Sequence, residues 1–206
     1  MRWRLIDKTN VKAPATGSYR SWKPKLADEA SLQCVYCCIH ENRFGGLRNF
    51  HVEHYKPQSI FPALENNYDN LFYACGVCNV FKSDDWPCEH QPNNYNVPAY
   101  PNPAVVDYGT FLNVNLEGYV VSDSITGRYV IERLSLNRPQ MVGLRAITRL
   151  MIEIESAEVE IRSMLSADAI APEYKDNVIE FLLKSNEILR KFNSVRPYGS
   201  DQLKRN

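Results

Sequence analysis

The chain has 206 residues, 44% of them apolar and 23% charged, ordinary values for a globular protein with room for a real core in one domain or two small ones. Its 24 basic and 24 acidic residues cancel to a formal net charge of zero. That balance argues against a uniformly basic nucleic-acid binder, so any grip on DNA has to come from a local patch or from a partner that supplies the phosphate attraction.

Taken in order, residues 1–30 form a basic arm that carries Arg2, Arg4, Lys8, Lys12, Arg20, Lys23 and Lys25, with Trp3, Tyr19 and Trp22 between them. The arm either packs its aromatics on the domain or lays a strip along a phosphate backbone. It has no apolar signal segment, and no stretch of the chain is long enough to cross a bilayer, so a cytoplasmic location without membrane contact is expected. Ala27 to Gln33 reads as a short helix leading into the first cysteines. Residues 31–90 form the core and hold all six cysteines.

Residues 91–136 begin as a Pro- and Asn-rich loop, with Pro92, Asn93, Asn94, Pro98, Pro101 and Pro103. Phe111 to Leu116 then alternates, Glu117-Gly118 turns, and Tyr119-Val120-Val121 returns, which predicts a β-hairpin. Thr126-Gly127 marks a further turn before Tyr129-Val130-Ile131. Residues 137–206 are helical by period: Leu144, Ile147, Met151, Ile154, Ile161 and Leu165 share a face after Asn137 and Pro139. A second helix starts near Pro172 and carries Val178, Phe181, Leu182, Leu189 and Phe192, and the polar segment from Arg196 to Asn206 is expected to fray. The helical pair either completes the core or offers a docking surface to another subunit. The fold class expected is α+β, with oligomeric state left open.

The chemistry concentrates between Cys34 and Asp84. In a reducing compartment, paired Cys-x-x-Cys spacings point to metal rather than disulfides. Cys34, Cys37, Cys75 and Cys78 form two such pairs, and four thiolates close a tetrahedral Zn²⁺ shell with no open position, so the zinc is structural. Cys38 is a poorer substitute for Cys37, and Cys88 is spare.

Between the pairs, Phe50 to Lys56 alternates like a strand and sets Glu53 beside His54, side chains that point to opposite faces. Histidine is the side chain best poised to take a proton near neutral pH. A carboxylate holds a hard cation such as Mg²⁺ or Mn²⁺ through oxygen, and the amide of Asn79 offers a second hard ligand. Asn70 can bridge backbone groups and fix the loop that carries the histidine. Lys82, on the helical face of Asn79, and Lys56, just beyond His54, are candidate substrate contacts. His51 shares the strand face of Glu53 and is a metal ligand, a substrate contact or a packed histidine. His40 and His90 belong to no motif and read as surface residues.

The order Cys34-x-x-Cys37, Val52-Glu53-His54-x-x-Pro57-x-Ser59, Asn70-Leu71, Cys75-x-x-Cys78-Asn79-x-x-Lys82-Ser83 resembles the zinc-containing HNH endonucleases of the ββα-metal fold. The resemblance covers residues 34–84. It implies that His54 is the general base, that Glu53 and Asn79 hold one Mg²⁺ or Mn²⁺ on the scissile phosphate, and that Asn70 orients the His54 loop. The products would carry 5′-phosphate and 3′-hydroxyl ends. The family more often has Asp before the catalytic His and His at the last position; Glu53 and Asn79 stand there in this chain. The hairpin, Ile131 to Arg138 and the long helices look like HNH proteins of bacterial phage-defence systems of the Septu and retron types, which pair the nuclease with an ATPase. The competing functional class is a non-catalytic zinc-binding adaptor for DNA or protein on the same scaffold, which has no need of Glu53, His54 and Asn79 together. A redox protein would need an accessible dithiol.

Overall fold

A computed structural model describes residues 2–9, 13–91 and 93–194. Lys12, Pro92 and the segment Arg196 to Asn206 lie outside the described residues, as does the side chain of Phe192. The architecture is α+β, with five helices and two small antiparallel sheets among the described residues.

Helix α1 (Lys23–Glu29) begins earlier than the sequence suggests because Pro24 suits its first turn. It also ends earlier: Ser31 and Leu32 adopt left-handed backbone (φ 45° and 62°) and redirect the chain toward Cys34. The Trp3 indole donates to the Tyr36 carbonyl at 2.7 Å, and Trp3 and Trp22 lie in the core, so the arm's aromatics pack on the domain.

Strand β1 (Phe50–His54) pairs antiparallel with β2 (Leu71–Cys75), with Phe50 opposite Cys75 and His54 opposite Leu71. Every β2 residue is buried, and the apolar run explains it: the strand packs on α1, Tyr73 stacks on Phe50, and Phe72 meets Tyr55 edge to face. Helix α2 (Gly76–Lys82) follows β2 without a loop, so Cys75 is at once the last strand residue and the helix N-cap.

The expected hairpin is present but short: β3 (Asn113–Val114) pairs with β4 (Val120–Val121). Its turn glycine, Gly118, has φ +91°, and a Cβ there would sit 2.4 Å from the Val142 carbonyl oxygen, so only glycine fits. The turn read at Thr126-Gly127 is instead the first turn of helix α3 (Ile125–Arg133). Ser124 caps that helix by accepting from the Gly127 amide at 2.9 Å, and the Thr126 hydroxyl donates to the Val97 carbonyl. Tyr129 and Arg133 then reach Asp85 and tie α3 to the core.

Helices α4 (Pro139–Ser166) and α5 (Pro172–Ser194) form the helical pair. Their seam is hydrophobic at Leu182 and Leu189 and is latched by buried Glu158, which accepts from Ser185 and Asn186. Ile147, Leu150, Val159, Phe181, Leu183 and Ile188 remain exposed on the pair. Among the described residues, no helix is long and apolar enough to cross a membrane.

Candidate metal centre and adjoining cleft

Two features meet at the β1–β2–α2 unit: a sulfur cluster and an open cleft. The cluster comes from two tight turns. Residues 34–39 fold back on themselves, with the Cys34 amide donating to Ile39 and the Cys38 amide to Cys34, and Cys38 closes the turn at φ 59°. The second pair straddles the start of α2, where the Cys78 amide donates to the Cys75 sulfur at 3.5 Å.

All four sulfurs of Cys34, Cys37, Cys75 and Cys78 are buried and lie within 4.8 Å of one another. The Cys37 and Cys75 sulfurs are 3.7 Å apart. A tetrahedral zinc with Zn–S bonds of about 2.3 Å has edges of about 3.8 Å, so four buried cysteines at this spacing could hold a zinc ion. Cys38 stays outside the cluster, and burial pushes its thiol up. Cys88 donates to the Pro98 carbonyl.

Arg138, at the N-terminus of α4, answers the negative charge of the cluster. Its guanidinium reaches the sulfurs of Cys37 at 3.4 Å, Cys78 at 3.8 Å and Cys75 at 3.9 Å. Burial opposes ionisation of Cys37, but bonds from Cys34, Cys75 and Cys78 and the charge of Arg138 hold its thiol well below the usual range. Arg138→Met is therefore expected to weaken zinc retention about 10–100-fold, as loss of outer partners does at metal sites. Zinc transfer to a colorimetric chelator measures it, and an unchanged rate would make Arg138 a bystander.

The cleft has a volume of about 660 Å³ and is lined by His51, Glu53, His54 and Asn79 together with Tyr19, Arg20, Lys23 and Arg48. Three of the four residues expected at the reaction centre thus line one cleft. The fourth, Asn70, is buried behind it. Its side chain accepts from the Lys56 amide at 2.8 Å and donates to the Lys56 carbonyl at 3.0 Å, which locks the turn just after His54. Asn70→Ala would leave both backbone groups unmet, at a cost of about 1–3 kcal/mol, read as a lowered melting temperature. A melting temperature equal to wild type would show that the turn holds itself.

His54 is half-buried, and its Nε2 lies 2.9 Å from the Glu65 carbonyl oxygen. A carbonyl only accepts, so Nε2 carries the proton and the lone pair of the neutral ring is on Nδ1. The Tyr19 ring meets the imidazole edge-on at 4.8 Å between centroids. Glu53 points to the other strand face and is 2% exposed. Its Oε1 lies 2.7 Å from Lys82 Nζ and accepts from the Tyr36 hydroxyl at 3.2 Å.

The two lysines expected at substrate are placed differently. Lys82 is wholly buried on Glu53, because its stem runs inward from α2 toward the Tyr100 ring. Lys56 pairs with Glu89 at 2.9 Å and borders a separate hollow with Tyr55 and His90, away from the cleft. His51 is exposed, with its Nε2 close to Gly76 at the start of α2. His40 accepts from the Asn42 amide, and His90 is buried with Nε2 unpartnered, not a surface residue.

Several cleft residues carried no motif. Arg20 and Lys23 were visible only as part of a basic arm, Arg48 not at all, and the Glu65 contribution is a carbonyl that no side-chain pattern reports. Neither a family model, nor a curated protein, nor a solved structure matches this chain.

Proposed function

We propose that the cleft hydrolyses DNA phosphodiester bonds as a metal-dependent HNH endonuclease on a zinc-stapled ββα-metal core. The observation that carries the reading is the polarised His54: a backbone carbonyl fixes Nε2–H, and Nδ1 is left as a proton acceptor on a strand whose next residue back, Glu53, lines the same cleft as Asn79. His54 Nδ1 takes the proton of the attacking water. Carboxylate and amide oxygens are hard donors, so Glu53 and Asn79 fit a Mg²⁺ or Mn²⁺ ion. When bound there, the cation would supply Lewis-acid stabilisation of the phosphate and its leaving oxygen. Exposed Arg20 and Arg48, with half-buried Lys23, border the cleft and give the local basic patch that a chain of zero net charge needs in order to hold a phosphate backbone.

Lys23 is partly committed, since its ammonium donates to the carbonyls of Leu47 and Phe50, both at 2.9 Å. Arg20 and Arg48 are the more exposed of the three. The reading extends to a bacterial phage-defence complex in which an ATPase subunit docks on the exposed apolar side chains of α4 and α5. The test of the activity is end-group analysis of plasmid cut in Mg²⁺ or Mn²⁺. Ends that a DNA ligase rejoins directly, carrying 5′-phosphate and 3′-hydroxyl, are expected. Ends carrying 3′-phosphate would exclude this chemistry.

A further inference from the structure

Lys82 combines three contacts that a surface phosphate ligand would not make. Its ammonium lies 2.7 Å from Glu53 Oε1, donates to the His54 backbone carbonyl at 3.0 Å, and lies 5.5 Å from the centroid of the Tyr100 ring. An ammonium removed from water this completely is tolerated only when paired. The pair is also asymmetric. Lys82 and Tyr36 both meet Oε1, and Oε2 has no protein partner among the described residues. Since the only buried unpartnered side-chain atom among them is His90 Nε2, Glu53 Oε2 reaches solvent, and the solvent beside Glu53 is the cleft. Helix α2 carries Asn79 three residues before Lys82, so one helix sets both the cleft amide and the buried ammonium.

We propose that Lys82 is a positioning residue that builds the cation seat of the cleft: it anchors Glu53 through Oε1, keeps Oε2 turned outward for a divalent cation, and pins the backbone of His54. The proposal rests on the functional reading above. The Glu53 carboxylate is thereby held in place before any cation arrives.

The experiment is Mn²⁺ binding to zinc-loaded protein, read by the paramagnetic signal of free Mn²⁺, for wild type, Lys82→Met, Glu53→Gln and the double variant. Loss of the anchor is expected to weaken Mn²⁺ binding about 10–100-fold in Lys82→Met, as loss of a partner that orients a metal ligand does. Cleavage at saturating Mn²⁺ should also fall, because the His54 carbonyl has lost its donor. Glu53→Gln and the double variant should lose the binding. If Lys82→Met unfolds without cation, Mn²⁺ is expected to raise its melting temperature more than it raises that of the double variant, which carries neither charge. Equal or tighter Mn²⁺ affinity in a folded Lys82→Met, or no rescue by Mn²⁺ of an unfolded one, overturns the proposal, because a lysine that serves packing alone leaves the seat unchanged. The functional reading fails separately: wild type that never cuts DNA removes the nuclease but leaves the affinity comparison intact.

Discussion

Cys75→Ser is expected to abolish zinc retention and lower the melting temperature by roughly 10 °C, the effect of losing about 3–5 kcal/mol in a chain of this size. Cys75 is the joint of the core. It ends β2 opposite Phe50, caps α2, and holds its sulfur 3.7 Å from that of Cys37. Serine keeps a cap oxygen for the Cys78 amide but is a poor ligand for zinc. Three thiolates and the Arg138 guanidinium would then remain buried without the ion that neutralises them, and structural zinc in small sites contributes folding energy directly. The loss should spread to the cleft, because Glu53 and His54 ride on β1 and Asn79 on α2, the two elements that Cys75 clamps. Zinc content by elemental analysis and calorimetric melting measure the effect. A full complement of zinc with an unchanged melting temperature would remove the staple.

His54→Ala is expected to reduce cleavage about 10²–10⁴-fold while leaving the melting temperature close to wild type. The separation of the two effects follows from its surroundings. His54 is half-buried, and the contacts of its ring are the Glu65 carbonyl and the edge of Tyr19, neither of which holds the core together. The backbone contact to Lys82 involves the His54 carbonyl and survives the substitution. Added imidazole should restore part of the rate, since it replaces the base and nothing else. Cleavage at the wild-type rate would remove His54 from the mechanism; a collapsed melting temperature would make it a structural histidine.

Much of the core was legible because its signals are local. Cysteine spacing at 34–37 and 75–78 is a short-range pattern, and a single compact cluster is the simplest geometry that two such turns allow. The alternation from Phe50 to His54 and the helical periods after Pro139 and Pro172 repeat within a few residues, and the structure has β1, α4 and α5 there. The misread positions share a different cause. Lys82 looked like a surface cation because its partner, Glu53, lies 29 positions earlier and no local pattern reports a buried pair. Lys56 was placed at substrate, yet Glu89 takes its charge. Thr126-Gly127 resembled a turn because Gly usually breaks helices, whereas here a Cβ at Gly127 would sit 1.9 Å from the Ser122 hydroxyl, so the glycine serves close packing beside the Ser124 cap. The cleft's cationic border was hidden for the same reason as Lys82: Arg20 and Arg48 meet only after α1 has folded against the sheet.

One assay tests the nuclease assignment most directly: purified, zinc-loaded protein incubated with supercoiled plasmid in Mn²⁺, beside the same protein in EDTA. Nicked or linear plasmid is expected in Mn²⁺ and intact plasmid in EDTA, with the difference lost in His54→Ala. Cutting that persists in EDTA or in the variant would contradict it, as would plasmid left intact by wild-type protein shown to hold both zinc and Mn²⁺.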